Sequence, residues 1–286
     1  MRYAYYPGCS LESSAKEYDM SLRAVFQQVG IELVEIEDWN CCGATPGGAT
    51  DKVTGTALIA RNLAWAEERG LEIVAPCSAC YKNLRKATLA LQEDRELRAK
   101  VNDRLEGRHI ERGPAVKGPV EVLLVDLGLD KVEVSKALTG LKVLPYYGCP
   151  MTRPKGGYED TERPVALDHI IEALGAQPVD CASKTKCCGG GIVMSREDIA
   201  LNLTGKLLSR ATETEADCMI TMCPLCHMLL DAYQPKVGKR LHKKLGMPVL
   251  YFTQLMGLAM GIDVKQLGLE RHVVSPFPML ERRGVL

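Results

Sequence analysis

Ten of the chain's 12 cysteines fall into two copies of a single pattern, and this duplication limits the possible folds more than any other feature. The first copy, C-x31-C-C-x34-C-x2-C, runs through Cys9, Cys41, Cys42, Cys77 and Cys80. The second, C-x37-C-C-x34-C-x2-C, runs through Cys149, Cys187, Cys188, Cys223 and Cys226. Neighbouring residues repeat as well. Tyr5-Tyr6-Pro7-Gly8-Cys9 is echoed by Tyr146-Tyr147-Gly148-Cys149-Pro150, and Cys41-Cys42-Gly43 by Cys187-Cys188-Gly189. A repeat of this length means two copies of a domain, not a solenoid of short units.

The spacing suits metal ligation. A C-x-x-C at a helix start presents two sulfurs to one metal, and the helix amino terminus favours thiolate. Adjacent cysteines need a sharp bend to share a centre. Gly43, Gly47 and Gly48 after the first pair, and Gly189, Gly190 and Gly191 after the second, permit one and let amides approach sulfide. Five thiolates exceed the four that structural zinc uses, and soft sulfur donors fit an iron–sulfur cluster with several irons. The cubane signature C-x2-C-x2-C-x3-C-P is absent. Zinc in one half, structural disulfides and simple buried thiols remain as alternatives at this point. Cys181 and Cys218 lie outside the repeat and read as small core residues.

Composition excludes several classes. With 286 residues, 46% hydrophobic and 25% charged, the chain has enough apolar material for a large core without disulfide staples. Lys plus Arg and Asp plus Glu each number 36, so no net field draws it to nucleic acid. No run of 18 or more apolar residues offers a membrane span, and MRYAYYPGCS has no apolar signal-peptide core, so a cytoplasmic location is expected.

Each half alternates short strands and helices. The first reads as strand over 2–6, helix over 13–29, strand over 32–35, helix over 51–68 and an apolar run over 71–75 that delivers Cys77. The second reads as strand over 142–146, helices over 162–174 and 196–211, and strand over 218–221 before Cys223. The expected fold is α/β: two pseudo-symmetric duplicated domains with short parallel sheets, the ligand stations lying in loops between them. The domains are set at 1–118 and 141–286, joined by a helical connection at 119–140. Residues 107–119 read as a surface connection, 250–262 as a packed helix, and 275–278 as a segment that resists helix.

The two cysteine blocks, with the Cys-Cys-Gly triplets and Pro248 to Leu255, resemble the tandem cysteine-rich (CCG) domain of the B subunit of heterodisulfide reductase and its relatives. That resemblance implies a noncubane 4Fe-4S cluster on each set of five cysteines, with a substrate disulfide between the two clusters. It implies the catalytic subunit of a complex that reduces a disulfide to two thiols, or runs the reverse. The same domain pair occurs in iron–sulfur subunits of organic-acid dehydrogenases and quinone reductases, which leaves an electron-transfer role as the alternative. A ferredoxin-like iron–sulfur subunit and a flavin-containing subunit are the implied partners, because the chain has no G-x-G-x-x-G fingerprint of its own. Pro150 and Gly43 stand where methanogen members carry His and Pro, so contacts to substrate differ there. Arg153, Lys155 and Lys186, with Lys184, Arg61 and Lys82, place positive charge near the cysteines and are candidates to hold an acidic thiol. His227, next to Cys226, is a candidate proton donor.

Overall fold

The computed structural model describes residues 1–44, 51–149 and 157–286. The first unit consists of β1 (Arg2–Tyr5), α1 (Gly8–Glu12), α2 (Lys16–Gln28), β2 (Glu32–Glu35), α3 (Lys52–Glu67), β3 (Ile73–Val74), α4 (Ser78–Glu93), α5 (Arg95–Asn102) and β4 (Val116–Lys117). A short helix α6 (Pro119–Glu121), continued as a π-helix over Val122–Leu127, and a 3-10 helix over Leu129–Lys131 lead to the second unit. That unit holds β5 (Lys142–Tyr146), α7 (Ala166–Ala173), β6 (Gln177–Pro178), α8 (Glu197–Thr212), β7 (Cys218–Thr221), α9 (Pro224–Leu230), α10 (Gln234–Leu241), β8 (Val249–Tyr251), α11 (Phe252–Ala259) and α12 (Phe277–Arg282).

The sheets are ordered β2-β1-β3-β4 and β6-β5-β7-β8, with every pairing parallel. The two units are thus one topology used twice. In this order the chain first winds to one side of β1 and then to the other, which places a switch point at the carboxyl ends of β1 and β3. Cys9 follows β1 and Cys77 follows β3.

Several expectations are corrected. The helix expected over 13–29 is α2, which begins at Lys16 behind a turn at Ser13 to Ala15, and a short α1 that was not expected precedes that turn. The end of α2 is where expected, closed by Gly30, which takes φ +73, and by Ile31 N–H bonding the Phe26 carbonyl at 2.8 Å. Residues 116–117, expected in a surface connection, form the edge strand β4, since the parallel sheet needs a partner for β3. The helix expected from residue 162 begins at Ala166, because the Glu159 carboxylate accepts from Val165 N–H and Ala166 N–H at 3.1 and 2.8 Å. The expected helical connection at 119–140 is helical only over its first part, residues 119–127 and 129–131, and the expected helix over 250–262 is the end of strand β8 followed by α11. The segment expected to resist helix opens α12; Pro276 caps it and Pro278 lies in the first turn, where a missing N–H costs nothing.

The larger of two core clusters runs through both units, and the smaller, around α8 and α9, lies within the second. Buried Tyr18, Leu22, Val25 and Phe26 form one face of α2. Against that face packs α11, from the far end of the chain, every residue of which is buried. Ser21 and Thr253 share a buried hydroxyl hydrogen bond at 2.7 Å, and the Tyr18 and Tyr251 rings stack with centroids 4.2 Å apart. Phe252 meets Tyr18 edge-on at 6.2 Å. Phe252→Ala is expected to cost about 3–5 kcal/mol. Because the core is shared, urea unfolding followed by fluorescence and by circular dichroism should give one coincident, weakened transition. Separate transitions for the two units would contradict a shared core.

Candidate functional site

In each unit the loops at the carboxyl edge of the sheet bring cysteines together. Cys9 lies at the start of α1, Cys41 and Cys42 follow β2, Cys77 is the residue that caps α4, and Cys80 sits in that helix's first turn. The second unit repeats this placement: Cys223 caps α9 and Cys226 lies in its first turn. In each set three sulfurs are buried, namely Cys42, Cys77 and Cys80, and Cys188, Cys223 and Cys226. Cys9, Cys41 and Cys187 are exposed and Cys149 is half-buried.

A glycine before each first cysteine makes this approach possible. Gly8 and Gly148 adopt φ +67 and +66, and a Cβ on either would stand 3.0 Å from the sulfur of Cys80 or Cys226. Both the left-handed backbone and the sulfur contact therefore demand glycine. A tyrosine at each strand end then ties down the double-cysteine loop. Tyr6 Oη donates to the Asn40 carbonyl at 2.7 Å, and Tyr146 Oη to the Lys186 carbonyl at 2.6 Å. The repeat therefore pairs Tyr6 with Tyr146, one residue out of step with the pairing of Tyr5-Tyr6 and Tyr146-Tyr147 read from the sequence.

The sulfurs interact among themselves and with amides. Cys188 and Cys226 Sγ are 3.4 Å apart, while Gly189 N–H and Gly190 N–H each reach a sulfur, of Cys187 and Cys188 respectively, at 3.3 Å. In the first set the hydrogen bond with Cys80 holds the Cys42 thiol below its ordinary range, helped by the Ala44 amide. Burial and then the charges of Cys41, Cys77 and Cys42 push the Cys9 thiol up. Burial raises the Tyr6 and Tyr146 phenols far above the ordinary value, and the neighbouring thiolates raise them further, so both stay neutral donors.

The two sets meet across the interface between the units. α1 packs on α9. The hydrogen bond with Cys226 outweighs burial and lowers the Cys223 thiol, and the Ser78 hydroxyl, from between Cys77 and Cys80, adds to that effect. Ser78 Oγ and Tyr251 Oη are buried and lack an aligned hydrogen-bond partner. Tyr18 and Tyr251 both feel Cys77 and Cys223. Sequence spacing gave no sign of Ser78, Tyr18 or Tyr251, because their roles depend on contacts between distant segments.

The other candidates fare differently. His227 is buried, stacks on Tyr251 at 4.2 Å, and places Nε2 at 2.9 Å from the Val249 carbonyl and 3.1 Å from His272 Nδ1. Burial, then His272, holds it well below the ordinary imidazole value, so its ring is neutral. Lys184 lies 3.5 Å from Asp168 and 3.6 Å from Asp180, and Arg61 pairs with Asp38. Lys186 and Lys82 are exposed. Arg153 and Lys155 lie outside the described residues. Cys218 is fully buried in β7, where burial pushes its thiol up, and Cys181 packs at the margin of the second unit's core.

Two convergent sets of soft donors, with backbone N–H groups aimed at sulfur and glycines cleared from its path, fit an iron–sulfur centre better than a four-ligand zinc site. A duplicated parallel α/β fold with a thiol cluster at each switch point defines the class. The chain belongs to the cysteine-rich (CCG) domain family, matched at residues 3–85 and 143–231, and within it to the tandem-domain proteins that include the heterodisulfide reductase B subunits. It is 38% identical over 277 residues to the 8-methylmenaquinol:fumarate reductase membrane anchor subunit of Wolinella succinogenes, covering 96% of this chain and 97% of that one. It is 30% identical to the B subunit of the ferredoxin/F420H2-dependent CoB-CoM heterodisulfide reductase of Methanosarcina acetivorans, covering 98% of this chain and 96% of that one. A crystal structure of a hypothetical protein from Helicobacter pylori shares the fold, with a TM-score of 0.78 at 16% identity; it aligns with 96% of this chain, which spans 52% of that protein. No helix among the described residues is long and apolar enough to cross a membrane.

The histidine pair yields a pH prediction. Burial lowers His272 to about 4 in the folded chain, against about 6.5 unfolded, so the unfolded state takes up the proton first. Its contribution to stability is therefore present above pH 6.5 and lost as pH falls towards 4. His272→Gln should flatten that loss by up to about 3 kcal/mol, measured as the difference between variant and parent in urea unfolding at each pH. Parallel pH profiles would show that His272 does not carry it.

Proposed function

We propose that this chain is the catalytic subunit of a heterodisulfide reductase-like complex, reducing a disulfide to two thiols or running the reverse. The observation that carries this reading is that Cys77 of one set and Cys223 of the other both act on the stacked, buried Tyr18 and Tyr251, in a chain related over nearly its whole length to the B subunit of a heterodisulfide reductase. Cys9, Cys41, Cys42, Cys77 and Cys80 would hold one noncubane 4Fe-4S cluster, and Cys149, Cys187, Cys188, Cys223 and Cys226 the other. When bound, the clusters supply single electrons and iron that accepts sulfur.

The protein's own residues supply placement. Cys42, Cys77, Cys80, Cys188, Cys223 and Cys226 are shielded from solvent beside the buried Tyr18–Tyr251 stack, and Cys9, Cys41 and Cys187 stay exposed. Lys186, with Arg153 and Lys155, offers counter-charge to an acidic thiol. Electrons would arrive from a ferredoxin-like subunit fed by a flavin subunit, in the cytoplasm. A second reading draws support from the 38% identical relative: an electron-transfer subunit of an organic-acid dehydrogenase or quinone reductase, in which the cysteines meet no substrate.

Anaerobic iron and acid-labile sulfide analysis of the purified chain should give about eight irons. Under oxidising conditions, added thiol should produce a new paramagnetic signal. Eight irons with no response to any thiol favour the electron-transfer reading; protein without iron or sulfide overturns both.

A further inference from the structure

The two copies of the fold serve as controls for each other, and they differ beside the double cysteine. In the second copy a cavity of about 260 Å³ opens next to Cys187. Its floor is apolar, from Leu203 and Leu207 on α8, and its charged lining comes from Lys186, Lys206 and Arg210. Lys206 and Arg210 are four residues apart on one helical face, an arrangement that repels unless an anion lies between them. Among the described residues no carboxylate forms an ion pair with any of the three cations. Arg210 is held in place, since its Nη1 donates to the buried Ser183 hydroxyl at 3.0 Å.

Counting from the double cysteine, the first copy has Asn40, Ala60 and Ala64 where the second has Lys186, Lys206 and Arg210. It also has Trp39 in place of Thr185. Trp39 packs edge-on against Tyr6 with centroids 5.5 Å apart, and Asn40 Nδ2 donates to the Leu58 carbonyl at 2.7 Å. Arg61, the first copy's cation in this region, is already paired with Asp38. The shared topology requires none of the three second-copy cations, so they are additions to one copy.

We propose that the Lys186–Lys206–Arg210 cavity is a subsite for the anionic end of a small thiol whose sulfur lies towards Cys187. That the other end of the ligand is a sulfur rests on the disulfide reading above; that the subsite takes an anion does not. A carboxylate, sulfonate or phosphate would meet the guanidinium and ammonium groups, and a short methylene chain would lie along Leu203 and Leu207. The cavity is below the usual range of roughly 300–1,000 Å³ for ligand pockets, so the occupant is small.

The test uses the full-length, reduced, iron-free chain at low salt. Iodoacetate and iodoacetamide attack through the same thiolate, so the ratio of their rates at one cysteine cancels its exposure and ionisation and reports the local potential. Peptide mass spectrometry should find this ratio at Cys187 about threefold or more above that at the exposed counterpart Cys41. Lys206→Gln combined with Arg210→Gln should bring the two ratios together, as should high salt. Equal ratios in the parent chain, or a ratio at Cys187 that survives the double substitution, overturn the anion subsite and leave the disulfide reading standing. On the iron-loaded chain, mercaptoacetate should raise the thiol-dependent signal at lower concentration than 2-mercaptoethanol. Half-saturation at equal concentrations overturns the placement of the thiol in this subsite.

Discussion

Parallel strand pairing is the constraint on which the rest of the structure depends. When every strand of a small sheet points the same way, every strand-to-helix loop emerges at one edge, and residues far apart in sequence are brought together there. Cys9, Cys42 and Cys77 come from three such loops. The glycine and tyrosine at each first strand's end then set the distance: Gly8 and Gly148 let backbone pass close to sulfur, while Tyr6 and Tyr146 hold the neighbouring loop.

The parts of the fold legible in the sequence were those governed by local pattern. β2, β5 and β7 lie where alternation and β-branched residues put them, and the helix with Asp51 as its cap starts one residue later, at Lys52. What local pattern missed was set by distant partners. A two-residue strand such as β4 has no period to read and exists because β3 has an open edge. The start of α7 depends on Glu159, and α12 forms despite its prolines because they fall where a helix has no N–H to lose.

The site divides the same way. Cysteine spacing was enough to pick out thiols that the fold gathers at one edge of each sheet, since thiols at repeated intervals carry their chemistry in their identity. How the two sets relate to each other was not legible, because Tyr18 meets Tyr251, with Cys77 and Cys223 acting on both, only once the units have docked. The cations at Lys206 and Arg210 were within reach of the sequence. Laying one half over the other beyond the cysteines exposes them, against Ala60 and Ala64.

The packing of α11 on α2 also orders events during synthesis. The covering helix begins at Phe252, so the face around Tyr18 and Ser21 stays open until the chain has been made well past it. Throughout that interval Tyr18 and Ser21 are already made but lack their partners Tyr251 and Thr253. The nascent polypeptide thus carries an open apolar face for as long as the 232 residues separating Ser21 from Thr253 take to emerge, which makes it a natural client for a chaperone.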